Sequence, residues 1–527
     1  MRPLRARGEM EDKKDLQEIR EEIDAIDDEL CDLFSKRMDL ALAMARYKKD
    51  HDLPVLDQIR ENQVLARVTE RLGEPLDRYG RILFNSMFDV SRTYQQNCMD
   101  LTSEIRTGYG LIGEKLEHSF SKTIHELIGA YEYDLIPLSR EKLDLFLKNR
   151  NFRGLNVTIP YKKTVMAYCD RISPLAEKLG AVNTLYFDKD GALCGTNTDY
   201  PGFLKAAAAA GITFKDRKVL ILGDGGAGGT VRHAVKDSGA ASVTVVTRHP
   251  EDSPAKNQFD CISYDQLKEH SDSEIIINAT PVGMYPNNGE RLISLADFPE
   301  CKGVFDTIYN PYLSALLLQA KKAGIPYANG LSMLVSQATE AAAYFTGKDG
   351  WDEKDAELLA ALREKSMNIV LIGMPGSGKS TIGRALSVLT GKTFVDTDDL
   401  VEDMSGMTIP EIFAKHGESH FRDLESKIAR RIGKETRLII ATGGGCVLRE
   451  ENMDALMQNG RIVLLERDTE KLATAGRPLS TDLDALRKIK EDRSPLYKKY
   501  GEFTIDTGAC SPKENAELIC EKLRTGE

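Results

Sequence analysis

The sequence predicts a multidomain fold, with an all-α domain of three helices at the N-terminus followed by two α/β domains. Its 527 residues exceed what one hydrophobic core holds, so about three or four domains are expected. Apolar residues recur at helical spacing up to about residue 98, whereas short apolar runs alternate with helical patterns from about residue 107 onward. The change of period therefore separates a helical part from an α/β part.

The composition limits the class of protein and of partner. Hydrophobic residues make up 41% of the chain and charged residues 29%, and the formal net charge of −11 argues against nucleic-acid binding. No apolar stretch approaches the length of a membrane span. The nine cysteines include no CxxC pair, which indicates reduced thiols of a cytoplasmic protein. Residues 1–10 carry charge but no apolar core, so we expect a disordered N-terminus and not a secretory signal.

The first helix is the longest predicted element. Residues 16–49 contain neither Gly nor Pro, and their apolar residues recur at steps of three, four or seven. At 1.5 Å per residue this helix would be ~50 Å long, which one small domain cannot cover alone. We therefore expect a homodimer through the N-terminal helices. Two further helices are predicted at about 57–71 and 77–98.

Basic residues of the first helix point in two directions. Arg37 and Lys48 are eleven residues apart, about 20° around a helix, so they project from one face. Arg20 is displaced from Arg37 by roughly a quarter turn or more, and it therefore suits a different site. On spacing alone, the alternative is a charged dimerisation domain without catalysis.

An ordered set of polar residues extends across all three helices: Arg20, Arg37, Lys48, Asp57, Arg60, Glu61, Ser91 and Gln95. This set resembles, position by position, the all-helical chorismate mutases over residues 11–100. The resemblance implies an intertwined dimer, in which Arg20 reaches into the partner's site, and the rearrangement of chorismate to prephenate. That reaction needs a compactly bound dicarboxylate and stabilised charge at the ether oxygen, and it needs no nucleophile.

The resemblance also implies roles for these side chains. The carboxylates would be bound by Arg20, Arg37, Arg60 and Ser91, the ether oxygen by the catalytic pair Lys48 and Gln95, and the substrate hydroxyl by Asp57 and Glu61. Because residue 95 is Gln and not Glu, its hydrogen-bond donor is present at any pH. We therefore expect activity without an acid-only optimum.

A glycine-rich loop in the middle of the chain predicts a dinucleotide site. The apolar run 219–222 predicts a strand, and glycines follow it at dinucleotide-loop spacing. The next strand ends at Thr247-Arg248, where a basic residue can pair with a 2′-phosphate, so NADP is favoured over NAD. The residues expected to bind NADP(H) are Gly223, Gly225, Gly226, Ala227, Gly228, Thr247 and Arg248.

Motifs on both sides of this loop resemble shikimate dehydrogenase over about 107–365. They are His118-Ser119-Phe120-Ser121, NVTIPYK at 156–162, AVNT at 181–184, NTD at 197–199, NATPVGMYP at 278–286, Tyr309-Asn310-Pro311 and MLVSQ at 333–337. The resemblance implies a substrate lobe at about 107–205 and a Rossmann lobe at about 206–330. It also implies that the C-terminal helices of this domain return to the substrate lobe.

The same resemblance assigns a substrate site. The polyhydroxy acid would be bound by Ser119, Ser121, Thr158, Asn183 and Gln337, and the reacting carbonyl would be flanked by Lys162 and Asp199. Reduction of a ketone by hydride needs a proton donor at the developing alkoxide, which a Lys–Asp pair can supply. The cofactor loop lacks a second basic residue that the family often carries. An NAD-linked domain that oxidises quinate is therefore the alternative, which Arg248 disfavours.

The last third of the chain begins with a phosphate-loop signature. The apolar run 368–372 leads directly into GMPGSGKS at 373–380 and then into a helical pattern. In such a loop backbone N–H groups and a lysine hold the phosphates of ATP, and a serine hydroxyl ligates magnesium. The predicted nucleotide site comprises Gly376, Ser377, Gly378, Lys379, Ser380 and Thr381, with Mg²⁺ held by Ser380 and, through water, by Asp396.

Downstream motifs resemble shikimate kinase across 366–527, a P-loop kinase with a parallel sheet. They are FVDTDD at 394–399, Phe421-Arg422 with Glu425, the triple glycine 443–445, GRPL at 476–479 and RSPLY at 493–497. The resemblance implies that shikimate is bound by Asp398, Arg422, Arg493 and the backbone of Gly444 and Gly445. It also implies that Asp398 deprotonates the hydroxyl, with Lys379 and Arg477 as catalytic cations and Arg477 on a lid over the phosphates.

Together the three resemblances imply a cytoplasmic trifunctional enzyme of aromatic amino-acid biosynthesis. Its substrates would be chorismate, 3-dehydroshikimate and shikimate, and its cofactors NADP(H), ATP and Mg²⁺. An alternative keeps the dehydrogenase and the kinase but makes the N-terminal domain a dimerising sensor of chorismate or prephenate. The adjacency of the last two domains also motivates the hypothesis that less shikimate is released to bulk.

Overall fold

The computed structural model of the protein describes residues 16–51, 58–73, 76–100, 107–116, 119–468 and 483–525. The chain forms two compact units, which meet in sequence at Thr107 and Gly108. The disorder predicted for residues 1–10 lies outside the described residues. None of the described helices combines the length and the apolar character that a membrane crossing requires.

Three helices form the first unit, as the periodicity predicts. They are α1 (Leu16–Asp50), α2 (Gln58–Leu72) and α3 (Asp77–Asp100). Helix α3 packs against both α1 and α2, and Met38 of α1, Val68 of α2 and Phe88 of α3 are buried. Much of the apolar stripe of α1 is exposed in the described part of the unit, since Ile26 and Leu33 are 57% and 59% exposed.

The middle part of the chain, residues 107–366, contains two six-stranded sheets. Its strands are β1 (Thr107–Gly113), β2 (Tyr133–Pro137), β3 (Phe152–Val157), β4 (Arg171–Ile172), β5 (Thr184–Phe187), β6 (Leu193–Thr196), β7 (Lys218–Leu222), β8 (Ser242–Val246), β9 (Asp260–Ile262), β10 (Ile275–Asn278), β11 (Gly303–Asp306) and β12 (Tyr327–Ala328). Its helices are α4 (Ser121–Ile128), α5 (Arg140–Asn149), α6 (Pro174–Leu179), α7 (Asp199–Ala209), α8 (Gly226–Asp237), α9 (Ala315–Ala323), α10 (Gly330–Thr346) and α11 (Asp355–Ser366). Short 3-10 helices cover Thr164–Tyr168, Pro250–Asp252, Tyr264–His270, Leu295–Asp297 and Trp351–Lys354.

The first sheet is mixed, whereas the alternation of apolar runs and helical patterns predicts parallel strands. Its order is β2-β1-β3-β5-β6-β4, and β5 pairs antiparallel with both β3 and β6. A tight turn joins β5 to β6, in which Asp188 Oδ1 accepts the backbone N–H groups of Asp190 and Ala192. Gly191 completes the turn with a φ of 79°. This hairpin explains the departure from an all-parallel sheet.

The second sheet is parallel throughout, in the order β12-β11-β10-β7-β8-β9. Strands β7 and β8 lie side by side, and their carboxyl ends lead into Gly223 and Thr247. In an open sheet of this kind a ligand binds at the carboxyl ends, where the strand order reverses. The glycine loop therefore lies where a dinucleotide is expected.

Two late helices of the middle part pack back against its first half. Val335 of α10 and Leu358 of α11 belong to one buried cluster with Ile124 of α4. Helix α10 also packs along α7. It therefore carries Gln337 to the side chains that surround the start of α7.

The C-terminal part, residues 367–525, holds a five-stranded parallel sheet in the order β14-β15-β13-β16-β17. Its strands are β13 (Asn368–Ile372), β14 (Thr393–Asp396), β15 (Leu438–Ala441), β16 (Gly460–Glu466) and β17 (Phe503–Asp506). Its helices are α12 (Lys379–Thr390), α13 (Thr397–Ser405), α14 (Ile409–Ile432, interrupted at Gly417), α15 (Glu450–Met457), α16 (Leu483–Tyr500) and α17 (Pro512–Thr525), with a 3-10 helix at Cys446–Leu448. The central strand β13 leads into the phosphate loop.

Candidate active sites

The residues predicted to bind substrate in the middle part converge on one cavity of about 460 Å³. Its lining comes from the ends of β1 and β3, from the start of α7 and from α10. Every predicted substrate and catalytic residue of this part lines it: Ser119, Ser121, Thr158, Lys162, Asn183, Asp199 and Gln337. Since β3 ends at Val157, the run from Thr158 to Lys162 leaves the sheet at its carboxyl edge and borders the cavity.

Lys162 and Asp199 form an ion pair at this cavity. Nζ of Lys162 donates to Oδ2 of Asp199 over 2.6 Å, and the two side chains are 32% and 17% exposed. Asp199 is the first residue of α7, where the helix dipole favours a carboxylate. The pair therefore presents a proton donor, held by a fixed anion, to whatever fills the cavity.

Hydrogen bonds fix the amide side chains of the cavity. The Thr198 N–H donates to Asn183 Oδ1 over 2.7 Å, and Thr198 Oγ1 donates to Gln337 Oε1 over 3.4 Å. This arrangement needs α7 and α10 in close contact. A Cβ atom at Gly202 of α7 would lie 2.8 Å from Gln337 Cβ, so a larger residue there would push Gln337 away from the cavity.

Polar side chains that the sequence reasoning missed also line this cavity: Lys115, Asn156 and Tyr309. Asn156 is buried, accepts from Tyr133 Oη over 2.7 Å and donates to Thr184 Oγ1 over 3.2 Å. Asn156 and Tyr309 lie within motifs that carry the resemblance to shikimate dehydrogenase, so their position in these motifs could have identified them as site residues. Lys115 lies in no such motif.

The glycine loop after β7 forms an open cradle at the start of α8. Gly223 has a φ of 99°, and a Cβ atom there would lie 2.5 Å from Thr280 Cγ2. Cβ atoms added at Gly225 and Gly226 would meet nothing within 4 Å, so the loop backbone faces open space at the helix terminus. Because the first N–H groups of a helix bind phosphate, the cradle fits the pyrophosphate of NADP.

The remaining predicted cofactor residues surround this cradle. Ala227 is exposed on the first turn of α8, and Gly228 is buried where a Cβ atom would lie 2.7 Å from Gly223 O. Thr247 and the exposed Arg248 follow β8 at the same carboxyl edge. A guanidinium at this position suits a 2′-phosphate.

Nearly all predicted residues of the C-terminal part line a second cavity of about 500 Å³. They are Gly376, Gly378, Lys379, Ser380, Thr381, Asp396, Asp398, Arg422, Gly444, Gly445 and Arg493. Ser377 does not line it, because its side chain is buried and its carbonyl accepts from Thr507 Oγ1 over 2.9 Å. Arg477 lies outside the described residues.

The phosphate loop is held by its own lysine. Lys379 is 8% exposed, and its Nζ donates to the carbonyls of Gly373 and Met374 over 2.9 and 2.8 Å. Gly376 and Gly378 have φ values of 85° and 96°, which glycine adopts without strain. The loop thus fits the phosphates of a nucleotide, with a buried cation at its base.

A hydroxyl and a carboxylate lie next to each other beside this loop. Ser380 Oγ donates to Asp396 Oδ2 over 2.6 Å, and both residues line the cavity. Magnesium prefers oxygen ligands and keeps several of its waters. The Ser380–Asp396 pair therefore fits Mg²⁺, which the hydroxyl and the carboxylate would hold.

Asp398 is an unusual carboxyl within this cavity. Its burial, together with the nearby charges of Asp396 and Glu425, raises its pKa to about 6. The backbone leaves no room for a side chain here, since a Cβ atom at Gly443 would lie 2.7 Å from Asp398 Oδ1 and 2.9 Å from Glu425 Oε1. A carboxyl with a raised pKa is a stronger base once it ionises, so Asp398 suits deprotonation of a hydroxyl.

Two guanidinium groups lie at the triple glycine. Arg422 is held by Glu425 over 2.9 Å and by Glu418 over 3.0 Å, and Arg493 is also nearly buried. A Cβ atom at Gly445 would lie 2.3 Å from Arg422 Nη1. Only glycine therefore lets the arginine approach the backbone this closely, and the two arginines together suit a substrate carboxylate.

The helical unit brings together part of its predicted set. Arg37 of α1 donates to Ser91 Oγ and, over 3.4 Å, to the Met87 carbonyl of α3. Glu61 of α2 pairs with Arg92 of α3, a residue that the sequence reasoning missed although it directly follows Ser91. Helix α3 thus joins polar side chains from both other helices.

The other predicted residues of this unit are spread along the helices. Arg20 and Arg60 are exposed, and Lys48 is half-buried. Asp57 lies outside the described residues, as does the side chain of Gln95. Within the described part of the unit, the contact between Arg37 and Ser91 is therefore the best-defined element of the predicted site.

Three segments of the chain match the models of known families. Residues 19–96 match the model for chorismate mutase type II, residues 111–185 match the shikimate dehydrogenase substrate binding domain, and residues 375–524 match shikimate kinase. The Arg37–Ser91 contact lies within the first segment. The cavity of the middle part is lined by residues of the second segment and of the sequence that follows it, and the cavity of the C-terminal part is lined by residues of the third.

Individual relatives each match just under half of the chain. A shikimate dehydrogenase (NADP(+)) of Caldanaerobacter subterraneus subsp. tengcongensis is 34% identical over 267 residues, which are 47% of this chain and 94% of that protein. A shikimate dehydrogenase (NADP(+)) of Clostridium perfringens is 36% identical over 250 residues, 45% of this chain and 92% of that protein. A solved chorismate mutase/shikimate 5-dehydrogenase fusion protein from Clostridium acetobutylicum is 40% identical, with a TM-score of 0.46 and coverage of 49% of this chain and 98% of its own.

Both of these shikimate dehydrogenases are NADP(+) enzymes by name. In this chain the glycine loop after β7 fits NADP, and the phosphate loop with Ser380 and Asp396 fits ATP and Mg²⁺. The chain therefore belongs to the shikimate dehydrogenase family and, with its chorismate mutase and shikimate kinase domains, is a multifunctional enzyme of the shikimate pathway.

Proposed function

We propose that the chain catalyses three reactions in three domains, at residues 11–100, 107–365 and 366–527. They are the rearrangement of chorismate to prephenate, the reduction of 3-dehydroshikimate to shikimate by NADPH, and the phosphorylation of shikimate on its 3-hydroxyl by ATP. The observation that carries this proposal is the Lys162–Asp199 pair on a cavity lined by every predicted substrate residue. We assign the enzyme to the cytoplasm because the described cysteines are free thiols.

The test of the proposal uses the purified full-length protein. NADPH oxidation is followed with 3-dehydroshikimate, and ADP formation is followed with shikimate and ATP. Activity in both assays is expected. A protein that binds NADPH and ATP but turns over neither substrate would refute the proposal.

In the dehydrogenase, NADPH supplies the hydride. We assign Lys162 as the donor of the proton that the developing alkoxide needs, and Asp199 as the anion that holds its ammonium. Asn183 and Gln337, fixed through Thr198, would bind ring hydroxyls, with Ser119, Ser121 and Thr158 completing the substrate contacts. Thr280 and the cradle glycines would hold the cofactor beside this site.

Arg248 is expected to set the preference for NADP over NAD. Replacing Arg248 by Gln removes the guanidinium that would pair with the 2′-phosphate, so kcat/KM with NADP should fall by about 10- to 100-fold, the worth of a charged hydrogen bond. The value with NAD should not change. Steady-state kinetics with both cofactors provide the measurement, with His249→Gln, a change at the neighbouring exposed position, as the control. A wild-type preference for NAD and quinate would support the quinate-oxidising alternative.

In the kinase, we assign Asp398 as the base that deprotonates the 3-hydroxyl. Arg422 and Arg493 would bind the carboxylate of shikimate beside Gly444 and Gly445. Lys379 would hold the transferred phosphoryl group and Arg477 would close over it. Mg²⁺ on Ser380 and Asp396 would neutralise phosphate charge when bound.

In the mutase, binding geometry accounts for catalysis. Arg37, oriented by Ser91, and Arg60 would bind the substrate carboxylates, with Arg20 supplied by the partner chain. Lys48 and Gln95 would stabilise the charge on the ether oxygen. Asp57 and Glu61 would bind the substrate hydroxyl.

The homodimer is proposed from the uncovered face of α1. Ile23, Ile26, Leu30, Leu33 and Leu40 recur on one side of this helix and are each at least half exposed. The stripe runs for roughly 25 Å along the helix. Apolar surface of this extent in a row marks a contact with another chain, and a second copy of α1 has the matching stripe.

Breaking the stripe should separate the dimer. The double variant Leu30→Glu, Leu33→Glu places two charges where apolar side chains would meet, so the measured molar mass should fall from that of two chains to that of one. Light scattering after gel filtration gives the mass. Leu145→Glu, at a 65% exposed position of α5, is the control that should leave the mass unchanged. A wild-type protein of one-chain mass would contradict the proposed dimer.

Chorismate turnover distinguishes the mutase from the sensor. Lys48→Ala removes a donor to the ether oxygen, so turnover should fall by about 100-fold or more, while Lys36→Ala, at an exposed position of the same helix, should leave it intact. The loss of chorismate absorbance is measured between pH 5 and pH 8, with no acid-only optimum expected. Chorismate binding without turnover, together with altered dehydrogenase or kinase kinetics, would support the sensor.

A further inference from the structure

The dehydrogenase and kinase domains share a contact surface within the α/β unit. Helix α9 of the Rossmann lobe packs against α15 of the kinase domain. There Lys322 Nζ lies 2.6 Å from Glu450 Oε1 and 2.5 Å from Asp454 Oδ1. Met457, the last residue of α15, packs against hydrophobic clusters of both domains. The surface therefore combines charged and apolar contacts.

Two hydrogen bonds to the backbone cross this surface. They involve the segment 310–314, the second part of the connection between β11 and α9. The Tyr312 N–H donates to Asn459 Oδ1 over 2.9 Å, and the Leu313 N–H donates to the Gln458 carbonyl over 2.8 Å. Both Gln458 and Asn459 are nearly buried. Backbone hydrogen bonds in buried positions fix the path of the segment, because an unpaired buried N–H group is costly.

Asn459 is held firmly on its own side. Its Nδ2 donates to the carbonyls of Gly433 and Lys434 over 3.3 and 3.2 Å, and its carbonyl accepts from the Asn368 N–H over 2.8 Å. It directly precedes β16, which pairs with the phosphate-loop strand β13. The kinase core thus offers a rigid acceptor to Tyr312.

Tyr312 is also hydrogen-bonded to the residue that caps α10. Its carbonyl accepts from Asn329 Nδ2 over 2.9 Å, and Asn329 caps α10 by accepting the Ser332 N–H over 3.2 Å. The guanidinium of Arg363 lies 5.0 Å from the Tyr312 ring. Helix α10 in turn carries Leu334 and Gln337, which line the substrate cavity.

Residues 307–309, which directly precede the segment 310–314, also connect it to the substrate cavity and to α10. Tyr309 lines the substrate cavity and directly precedes residue 310. The Gly330 N–H donates to the Ile308 carbonyl over 2.9 Å, and a Cβ atom at Gly330 would lie 2.0 Å from Thr307 O. The start of α10 and residues 307–309 are therefore in direct contact, with no room for a side chain between them.

We propose that the kinase domain positions the substrate cavity of the dehydrogenase. Gln458 and Asn459 hold the segment 310–314, and this segment holds Tyr309 and the helix that carries Gln337. None of the residues at the contact surface lines the cavity, so Tyr312, Asn459 and Lys322 are positioning residues. The inference rests on the proposed dehydrogenase function of that cavity.

The first test disturbs the surface by charge. Lys322→Glu faces two carboxylates, so it should raise the dehydrogenase KM for 3-dehydroshikimate by about three- to tenfold, the size expected for a residue that acts without touching the ligand. The dehydrogenase kcat and the kinase kcat should stay within about twofold. Lys321→Glu, at an exposed neighbouring position, should change neither constant. Adding Glu450→Lys and Asp454→Lys to Lys322→Glu should restore the KM.

The second test separates the docking hydrogen bond from the structure of the kinase. Asn459→Ala removes the acceptor of the Tyr312 N–H and the donors to Gly433 and Lys434. Asn459→Asp keeps an acceptor and loses those donors. Both variants lose the hydrogen bonds to Gly433 and Lys434, so any damage to the kinase structure should appear in both. The rise of the dehydrogenase KM should appear with Asn459→Ala alone, because only this variant loses the acceptor of the Tyr312 N–H.

Hydrogen exchange of peptides 309–314 and 329–337 is measured in the same proteins. Faster exchange and a raised KM in Lys322→Glu and Asn459→Ala, relative to their controls, support the inference. A KM within about twofold of the controls in both variants overturns it, whatever the exchange rates. If the wild-type protein has no dehydrogenase activity, the proposed function is refuted, and the positioning role is judged from hydrogen exchange alone. Faster exchange of peptide 329–337 in both variants supports the positioning role, and an unchanged exchange rate in both overturns it.

Discussion

Replacing Lys162 by Met is expected to lower the dehydrogenase kcat by about 10²- to 10⁴-fold, the contribution of a positioned proton donor. The side chain lies on the substrate cavity, and its ammonium group donates to Asp199 Oδ2 over 2.6 Å. Methionine preserves the length and the apolar stem but supplies no proton to the alkoxide. The loss should therefore fall on kcat, and the KM for 3-dehydroshikimate should change much less.

The matched control for this variant is Lys163→Met. Lys163 is exposed and does not line the cavity, so its replacement should leave kcat intact. The rate is read from NADPH absorbance, and kinase activity in the same preparation reports that the chain is folded. A Lys162→Met enzyme that retains more than about a tenth of the wild-type kcat would remove Lys162 from the chemistry.

Much of the fold could be predicted because its signals are local. The phosphate loop and the dinucleotide loop are short glycine patterns between an apolar strand and a helix, and both occur at the carboxyl ends of parallel strands. Side chains near such ends meet at one edge of the sheet. Thr158 and Lys162 follow a strand in this way, and they line one cavity with Asp199.

The remainder depends on tertiary contacts without a local pattern. The antiparallel pairing of β5 arises from a hairpin turn built on Asp188 and Gly191. The spacing of apolar runs does not predict such a turn, because it indicates where strands lie and not in which direction they pair. The pKa of Asp398 is raised chiefly by burial, then by the charge of Asp396 in the same motif and by that of Glu425, 27 residues further along the chain. Neither the burial nor the approach of Glu425 has a signal in the local sequence. The bond from Tyr312 to Asn459 uses a backbone N–H group, and every non-proline residue has one.

Replacing Asp398 by Asn is expected to abolish most of the kinase activity, with kcat lower by about 10²-fold or more, because the hydroxyl of shikimate loses its base. The carboxyl lies on the cavity with Lys379, Arg422 and Arg493. Asparagine keeps the shape and the hydrogen-bonding capacity but accepts no proton. ADP formation is measured at saturating ATP and shikimate. Asp399→Asn, at the adjacent exposed position, should retain activity.

Because the pKa of Asp398 is raised, the kinase rate is expected to depend on pH in a characteristic way. Asp398 must be ionised to act as a base, and its pKa is raised to about 6. In the wild type, kcat/KM for shikimate, which reports groups of the enzyme before shikimate binds, should therefore fall as the pH drops through about 6. The residual rate of Asp398→Asn should not follow that curve. A wild-type kcat/KM for shikimate that stays constant from pH 7 to pH 5 would contradict the role of Asp398 as the base.

The same carboxyl should cost stability at neutral pH. A pKa raised in the folded state means that the folded protein binds the proton more tightly than the unfolded chain. The stability that protonation contributes is therefore complete below the ordinary pKa near 4 and is lost as the pH rises through about 6. Each pKa unit corresponds to about 1.4 kcal/mol, so Asp398→Asn should be more stable than the wild type at pH 8 by up to roughly 3 kcal/mol and nearly equal to it at pH 4. Thermal unfolding of both proteins at the two pH values measures this difference. A variant that is both inactive and more stable would separate the loss of a base from damage to the fold.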